Sequence, residues 1–420
     1  MKILKNPAIL YRTIFYSVTF IVIVGITSLI PSCLIHKIGG ASSKLPSRIK
    51  QNLSPGAALL VRQSLDGTDS LLLQDYHTHI AGTGVNGSGN YVNAEMLSWF
   101  HFMKHLKFKV YMSGSGIKDV AKADPEFIER LVDLITHFPQ HGKYCILAFD
   151  QNYNTEGVPE PSKTEFYVPN EYIFSLAKTF PDLFVPVISV HPYRNDALNE
   201  LEKWALQGGH MVKWLPNAMG IDPSDEKCNA YYQKMKSLNL VLLTHAGEEK
   251  AVDSKDNQKY GNPLLLRNPL DAGIKVIVAH CASLGDGIDL DSGGVMKPNF
   301  DLFMRMMLDK KYEGLLFGDI SALTQDNRSG RPLQTMLEHT ELHHRLVNGS
   351  DYPLPAINII IRTKKLVKSG YITEQERTYL NEIYHFNPLL FDFVLKRTIR
   401  SQNNKQFPAS LFMKNKSLGM

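Results

Sequence analysis

Short apolar runs alternate with amphipathic stretches along the chain beyond residue 70. Most of the runs are apolar throughout rather than at every second position, which is typical of strands buried on both faces, as in parallel sheets. Between them, segments such as 93–106, 124–138 and 196–208 repeat apolar residues every three or four positions, the period of an amphipathic helix. This alternation predicts an α/β fold, either a (β/α)8 barrel of the TIM type or a doubly wound sheet.

Nine runs satisfy the strand pattern, one more than an eight-stranded barrel holds. They are residues 71–80, 108–114, 144–150, 183–192, 211–217, 240–248, 275–283, 314–321 and 345–353. Either 108–114 or 144–150 is surplus, and the pattern alone does not decide between them.

The N-terminus has a different pattern. Residues 13–30 are uncharged and almost wholly apolar, and about 18 such residues nearly span a bilayer as a helix. Basic residues precede this segment, which favours a cytoplasmic N-terminus. Residues 1–35 are therefore predicted to be an uncleaved membrane anchor or a secretory signal, with Cys33 a candidate for lipidation and a buried N-terminal helix as the remaining alternative. An anchor or a signal places the protein at a membrane or outside the cytoplasm, on the periplasmic side if it is bacterial.

Composition divides the rest of the chain. Residues 36–69 are rich in Ser, Gly, Pro and Lys and are predicted to be a linker, 70–395 the barrel domain, and 396–420 a basic tail. The formal net charge is +5, and much of the excess lies in the two ends rather than in one patch, which argues against a nucleic-acid partner. The four cysteines include no CxxC pair, so a disulfide framework is excluded.

Residues able to bind a metal fall at the ends of several predicted strands. The first strand ends in His77 and His79, and later strands end in His245, His280 and Asp351. The carboxyl ends of the strands of a parallel barrel open onto one face, where active sites lie. Residues i and i+2 of a strand point the same way, so His77 and His79 can converge on one ion. Imidazole and carboxylate are ligands for zinc and similar divalent ions.

The order of these motifs resembles the amidohydrolase superfamily of metal-dependent TIM-barrel hydrolases, and most closely its amidohydrolase-related branch, which includes decarboxylases and lactonases. The resemblance covers about residues 71–395 and rests on these motifs: DYHTH (75–79), MVKWLPN (211–217), LLTHAG (242–247), VIVAHC (276–281) and NGSDYP (348–353). It implies that His77 and His79 bind one ion, that His245 is a further ligand, and that Asp351 both contacts the metal and transfers protons. His280 is then either a ligand or a catalytic group near the substrate.

Lys213 determines how many ions the resemblance implies. In binuclear members a lysine on the fourth strand is carbamylated and bridges two ions, whereas a bare ammonium has no lone pair with which to ligate. Lys213 matches that strand. We therefore expect two divalent ions, foremost zinc, bridged by a carbamylated Lys213. The alternatives are an ordinary lysine and a single ion.

These residues predict a metal-dependent hydrolase that uses activated water to cleave an amide, ester or lactone bond of a small molecule. A non-oxidative decarboxylase of the same family is the alternative, and an inactive metal-binding barrel is the third. Five residues are candidates for substrate binding: Arg267, Trp214, Asn217, Tyr193 and Asp319. His191 also ends a strand and is interpreted as a structural histidine. The sequence indicates no oligomeric state.

Overall fold

The structure is a computed structural model and describes residues 32–40 and 44–419. Eight of its strands follow one another in chain order and are labelled β1 to β8. They are Gln74–His79, Lys143–Leu147, Phe184–Val187, Met211–Trp214, Val241–His245, Val276–Ala279, Leu316–Asp319 and Leu346–Val347. All their ladders are parallel.

The eight strands form one sheet of three, β1 to β3, and one of five, β4 to β8. Single parallel bridges join the sheets at both junctions, between Ile188 and Val212 and between Thr78 and Tyr352. The strands therefore lie in sequential order around a ring, although continuous ladders do not close the ring into one sheet. This is the strand number and order predicted for a (β/α)8 architecture.

The surplus strand prediction is 108–114, which the structure places at the end of the helix Phe102–Gly114. Phe108 and Met112 are buried on one face of that helix. Their spacing of four residues is the helical period, and a short apolar run does not distinguish a strand from a helix.

Helices fill the connections between the strands, as the alternating pattern predicted, and further helices precede β1 and follow β8. The longer ones are Pro55–Leu65, Phe102–Gly114, Ala123–Thr136, Asn170–Thr179, Ala197–Leu206, Asn229–Ser237, Asn299–Leu308, Arg331–Glu338, Glu374–Phe386 and Pro388–Thr398. The other α-helices are Ser32–Gly39, Ile49–Asn52, Ala94–Leu97, Pro216–Met219, Arg267–Asp271 and Thr363–Lys368. Two antiparallel ribbons, Tyr91–Val92 with Phe166–Tyr167 and Asp286–Ile288 with Met296–Pro298, lie in the loops.

Across the part of the chain that the structure describes, no helix combines the length and apolar character needed to cross a bilayer. The predicted anchor or signal, residues 13–30, lies outside the described residues and stays a prediction.

The predicted linker is not a loose connection where it is described. The helix Pro55–Leu65 packs with Ala57 and Val61 buried. Ser54 caps this helix and also donates through its hydroxyl to Glu382, 2.7 Å away on the helix Glu374–Phe386. Composition suggested a linker because small and polar residues dominate it, but Ala57, Val61 and Leu65 recur at four-residue spacing and form the buried face of this helix.

The predicted basic tail is likewise packed against the barrel. Leu418 is fully buried in an inner cluster that includes Tyr76 of β1 and Phe317 of β7, and the backbone N–H of Asn415 donates to the Tyr76 hydroxyl at 2.8 Å. Lys396 is also fully buried, 2.5 Å from Asp392. The charge count concealed the apolar residues that hold this segment in place.

Candidate active site

Two histidines of β1 and an aspartate that follows β8 bring three donor atoms together. His77 Nε2 lies 3.1 Å from His79 Nε2, and Asp351 Oδ1 lies 3.6 Å and 3.2 Å from these two nitrogens. The β1 ladder is irregular between Asp75 and Thr78. Such an irregularity redirects side chains, and here both histidines line the cavity described below. The structure brings the side chains of His77, His79 and Asp351 together, as the sequence pattern predicted.

The loop after β8 needs special backbone geometry to reach β1. A Cβ on Gly349 would lie 2.6 Å from the Cβ of His77, so only glycine fits where the two segments pass. Asp351 adopts a left-handed conformation with φ of 58°, which Asp and Asn tolerate better than most residues. Its N–H donates to the His77 carbonyl at 2.7 Å. These contacts fix the carboxylate of Asp351 against the histidines.

Hydrogen bonds behind the histidines determine which ring nitrogen carries a proton. His77 Nδ1 lies 2.8 Å from Asp319 Oδ2 at the end of β7, and a carboxylate only accepts, so Nδ1 is the protonated nitrogen. His280 Nδ1 lies 2.7 Å from the Ser321 hydroxyl, which itself donates to Asp319. His280 Nδ1 is therefore also the donor. In both rings Nε2 therefore carries no proton and lies on the side of Asp351, 3.6 Å from Oδ1 for His77 and 3.8 Å from Oδ2 for His280.

The buried histidines are neutral near pH 7. Burial lowers the pKa of His77 to about 4, and the charge of Lys213 acts in the same direction. Burial likewise lowers the pKa of His245 to about 4 and that of His280 well below its usual value. Burial alone would raise the pKa of Asp351, but the neighbouring His280, His79 and His77 outweigh it and hold the pKa low. The site thus offers imidazole lone pairs beside a carboxylate anion.

The three atoms on His77, His79 and Asp351 fit one divalent ion. Ligand atoms in a tetrahedral site with bonds of about 2.1 Å lie about 3.4 Å apart, and the three separations of 3.1, 3.2 and 3.6 Å lie on both sides of that value. A second grouping of His77, His280 and Asp319 is also close enough to consider. The 2.8 Å between His77 Nδ1 and Asp319 is a hydrogen-bond distance and too short for two ligands of one ion.

Lys213 reaches the same centre from β4. Its Nζ lies 3.1 Å from His77 Nε2, and the residue is only 1 % exposed. No carboxylate among the described residues forms an ion pair with it. Burial lowers the pKa of its ammonium to about 8, although Asp319 and Asp351 partly oppose this. Burial therefore favours the neutral amine of Lys213 more than it would for an exposed lysine.

His280 and His245 lie beside this group, and the ring of His280 stacks on that of His77 with 5.2 Å between the ring centroids. The rings of His245 and His280 are 5.5 Å apart, and both line the cavity. His245 Nε2 is buried and has no hydrogen-bond partner among the described residues, as expected of a nitrogen placed to ligate. Within the described ranges, His245 joins no group of three His, Cys, Asp or Glu ligands. A second ion would therefore need a further donor, such as a carbamate on Lys213.

A cavity of about 300 Å³ opens above these residues. Its polar floor is formed by the metal-binding candidates, and its walls are mainly apolar. The wall residues include Val92, Met96, Phe108, Met112, Ile117, Phe149, Phe166 and Leu354. A small apolar pocket with a few convergent polar groups is the usual form of a small-molecule site.

The predicted substrate-binding residues do not line this cavity. Arg267 forms a surface ion pair with Asp291 at 2.7 Å, Trp214 is buried and donates to the Val190 carbonyl, and Tyr193 donates to Asp225. Asn217 donates to the Gly247 carbonyl at 3.2 Å. Asp319 lies behind His77 and positions it. Trp214, Asn217, Tyr193 and Asp319 lie near strand ends in the sequence and Arg267 begins a short helix, and the side-chain partners of each hold it outside the cavity.

Three charged residues that were not predicted from the sequence also line the cavity: Arg328, Glu249 and Glu165. Glu249 Oε2 lies 3.5 Å from His245 Nδ1, and its Oε1 accepts from the Val252 N–H at 2.9 Å. Glu249 follows His245 by four residues and could have been noticed. Arg328 and Glu165 belong to long connections, and no local pattern distinguishes them.

His191 is a structural histidine, as interpreted. Its Nε2 donates to the Met219 carbonyl at 2.8 Å, its Nδ1 accepts from the Tyr193 N–H at 3.2 Å, and it lies outside the cavity lining. Burial lowers its pKa to about 3, and the nearby Arg194 charge adds to this.

Acid should destabilise the protein partly through His191. The unfolded side chain binds a proton near pH 6.5 and the folded one only near 3, so its stabilising contribution is complete above pH 6.5 and is lost as the pH falls towards 3. His191→Asn should reduce the loss of unfolding free energy between pH 7 and pH 5 by about 2 kcal/mol. Urea unfolding at the two pH values measures this. The control is the substitution of Asn for the exposed His344, which should leave the pH dependence of the unfolding free energy unchanged. An unchanged pH dependence in His191→Asn would contradict the role assigned to His191.

Solved structures similar to this chain are TIM-barrel proteins of low sequence identity. They include an uncharacterized TIM-barrel protein from Bordetella bronchiseptica, 13 % identical with a TM-score of 0.46, covering 74 % of this chain and 95 % of that chain. A putative 2-pyrone-4,6-dicarboxylic acid hydrolase from Pseudomonas putida is 16 % identical, with a TM-score of 0.41 and coverage of 77 % and 98 %. A 5-carboxyvanillate decarboxylase from Sphingomonas paucimobilis is 10 % identical, with a TM-score of 0.42 and coverage of 77 % and 96 %.

The similar structures include enzymes of the amidohydrolase superfamily, the group that the sequence motifs resemble. No protein-family profile and no curated protein matches the chain. TM-scores below 0.5 are too low to transfer a reaction or a substrate from these proteins to this chain.

Proposed function

We propose that this protein is a metal-dependent hydrolase of the amidohydrolase type, which cleaves an amide, ester or lactone bond of a small molecule. One observation supports this above the others. His77, His79 and Asp351 converge at ligand spacing on the floor of an apolar cavity, and the hydrogen bond to Asp319 leaves Nε2 of His77 without a proton. A divalent ion bound there would lower the pKa of water to around 7 and polarise a substrate carbonyl.

The protein's own groups divide the remaining work. His77 and His79 would hold the ion, and Asp319 keeps the Nε2 of His77 unprotonated. Asp351 is a buried anion that accepts a proton from the attacking water and returns it to the leaving group. His280, with Nε2 3.8 Å from Asp351 Oδ2, is a ligand or a catalytic neighbour of the substrate. The apolar walls exclude bulk water from the reacting bond.

A non-oxidative decarboxylase of the same family is the second candidate. The described carboxylates and imidazoles supply a complete set of spaced ligands for one ion around His79, and a second ion would depend on Lys213. A one-ion centre would leave His280 free to act on the substrate and would favour this alternative. An inactive barrel is the weakest candidate, because none of the predicted metal-binding side chains is missing from the floor of the cavity.

The number of ions depends on Lys213, and we place a carbamate on its Nζ as part of this proposal. A buried amine with a pKa of about 8 is a better nucleophile towards carbon dioxide than an exposed lysine. Elemental analysis of the purified full chain, loaded with zinc or manganese, should give two ions per chain. Lys213→Ala should give one or fewer.

A matched control is Lys250→Ala, because Lys250 lines the same cavity but is exposed. That variant should keep two ions. One ion in wild type that persists in Lys213→Ala would contradict the binuclear centre and favour the decarboxylase. Chromogenic esters and lactones then test the reaction, and release of carbon dioxide from aromatic acids without any ester or lactone cleavage would contradict the hydrolase.

A further inference from the structure

Arg328 is a buried cation in the cavity wall. It lies in the connection between β7 and the helix Arg331–Glu338, is only 7 % exposed, and lines the cavity whose floor holds the metal-binding candidates. Its charge acts on His245 and His280, so the guanidinium lies close to the reacting region.

The protein supplies few hydrogen-bond partners for the guanidinium of Arg328. Nη1 donates to the Ser283 hydroxyl at 3.0 Å, whereas Nε is buried and has no hydrogen-bond partner in the described ranges. No described carboxylate lies within ion-pair distance of Arg328. Leaving a buried charged group without partners is costly, and such a group in a native site calls for an explanation.

Another buried arginine of the chain shows what a structural role looks like. Arg345 is 4 % exposed and donates from all three side-chain nitrogens, to the carbonyl oxygens of Leu316, Met307 and Tyr312 at 2.7–3.1 Å. Arg328 has one such bond instead of three. Its position therefore differs from that of an arginine used only to hold loops together.

The anions in the cavity wall are already engaged. Glu165 pairs with Lys107 at 3.0 Å, and Glu249 accepts backbone N–H groups of its own loop. Lys250, another lining cation, has a side chain that is 58 % exposed and lies 3.3 Å from Glu248. Arg328 is thus a buried cation in the cavity wall, whereas Lys213 belongs to the floor. No carboxylate among the described residues forms an ion pair with Arg328.

We infer that Arg328 binds the carboxylate of the substrate. The substrate is then a small organic acid whose apolar part fills the cavity between Arg328 and the metal-binding candidates on its floor. This inference rests on the proposed function, because it treats the same cavity as the substrate site. The guanidinium fork matches the two oxygens of a carboxylate. The apolar walls suit an aromatic or alkyl body. A phosphate ester fits less well, since it would bring nearly two negative charges to a single available guanidinium.

Benzoate and benzamide are a matched pair of probes, equal in shape and different in charge. Calorimetric titration of the metal-loaded full chain should show benzoate binding at least about tenfold more tightly than benzamide. Arg328→Gln should reduce that preference to less than twofold. The control Lys250→Gln, which removes an exposed cation from the same wall, should keep it.

Two results would overturn the inference: equal binding of both probes by wild type, or an unchanged preference for benzoate in Arg328→Gln. The second would mean that the metal or another cation holds the carboxylate. If Arg328→Gln does not fold, phenylglyoxal modification of wild type replaces it, read by mass spectrometry at Arg328. Benzoate should protect Arg328 and benzamide should not, and equal labelling with both would overturn the inference.

Binding and turnover separate this inference from the proposed reaction. Benzoate held by Arg328 in a protein that cleaves no ester or lactone would support the inference and contradict the hydrolase. Cleavage of neutral esters without any preference for benzoate would support the hydrolase and contradict the inference.

Discussion

Replacing Asp351 by Asn should lower kcat by about a thousandfold for any ester or lactone that the wild-type protein cleaves. General acid–base groups typically contribute 10²–10⁴-fold, and the amide of Asn cannot take the proton from water. The backbone should not change, because Asn accepts the left-handed conformation that Asp351 adopts, with φ of 58°. The rate is measured at saturating metal, and the metal content is measured on the same sample.

A matched control is Asp150→Asn. Asp150 is also buried and accepts from the His191 N–H at 2.8 Å, but it lies outside the cavity lining. This variant should lose stability while keeping kcat within a few-fold of wild type. If Asp351→Asn carries its full metal complement and retains more than a tenth of the wild-type kcat, Asp351 is not the proton-transfer group.

The cluster of histidines and Asp351 on the cavity floor was predictable, because its members follow strands whose order the sequence indicates. His77, His245, His280 and Asp351 all follow apolar runs, and the carboxyl ends of parallel strands meet on one face. The sequence also specified that His77 and His79 point the same way. The hydrogen bond from His77 Nδ1 to Asp319 was not predicted, because it joins β1 to β7 across 242 positions of sequence.

The residues of the cavity walls and the packing of the chain ends were less predictable from the sequence. Both depend on contacts between side chains that lie far apart in the sequence. Arg267 had the right chemistry for a carboxylate, but Asp291 engages it at the surface. Arg328 had no local signal, and only the path of its connection makes it a wall residue. Leu418 lies among basic and polar residues in the sequence, yet it fills the inner cluster of the barrel.

Asp319→Asn should weaken metal binding by about 10–100-fold, the usual effect of removing the partner behind a ligating histidine. Oδ1 of Asp319 accepts the N–H of His280 at 2.8 Å and the N–H of Ser321 at 3.0 Å. The oxygen of Asn must keep those bonds, which turns its NH₂ group towards His77 Nδ1. His77 Nδ1 then has to accept, and its proton moves to Nε2, the nitrogen that should ligate.

The volume of the side chain is nearly unchanged by this substitution, so packing is kept while the charge behind His77 and the tautomer of its ring change. Competition with a chelator measures the metal affinity, and ¹⁵N chemical shifts of the metal-free protein report which nitrogen of His77 carries the proton. Asp75→Asn is the control, since Asp75 accepts from the backbone N–H of His77 at 2.9 Å but does not touch the ring. It should leave both readouts close to wild type. A dissociation constant within twofold of wild type in Asp319→Asn, with Nδ1 still protonated, would mean that Asp319 does not determine the tautomer, and the Nε2 lone pair on which the proposed metal centre depends would need another explanation.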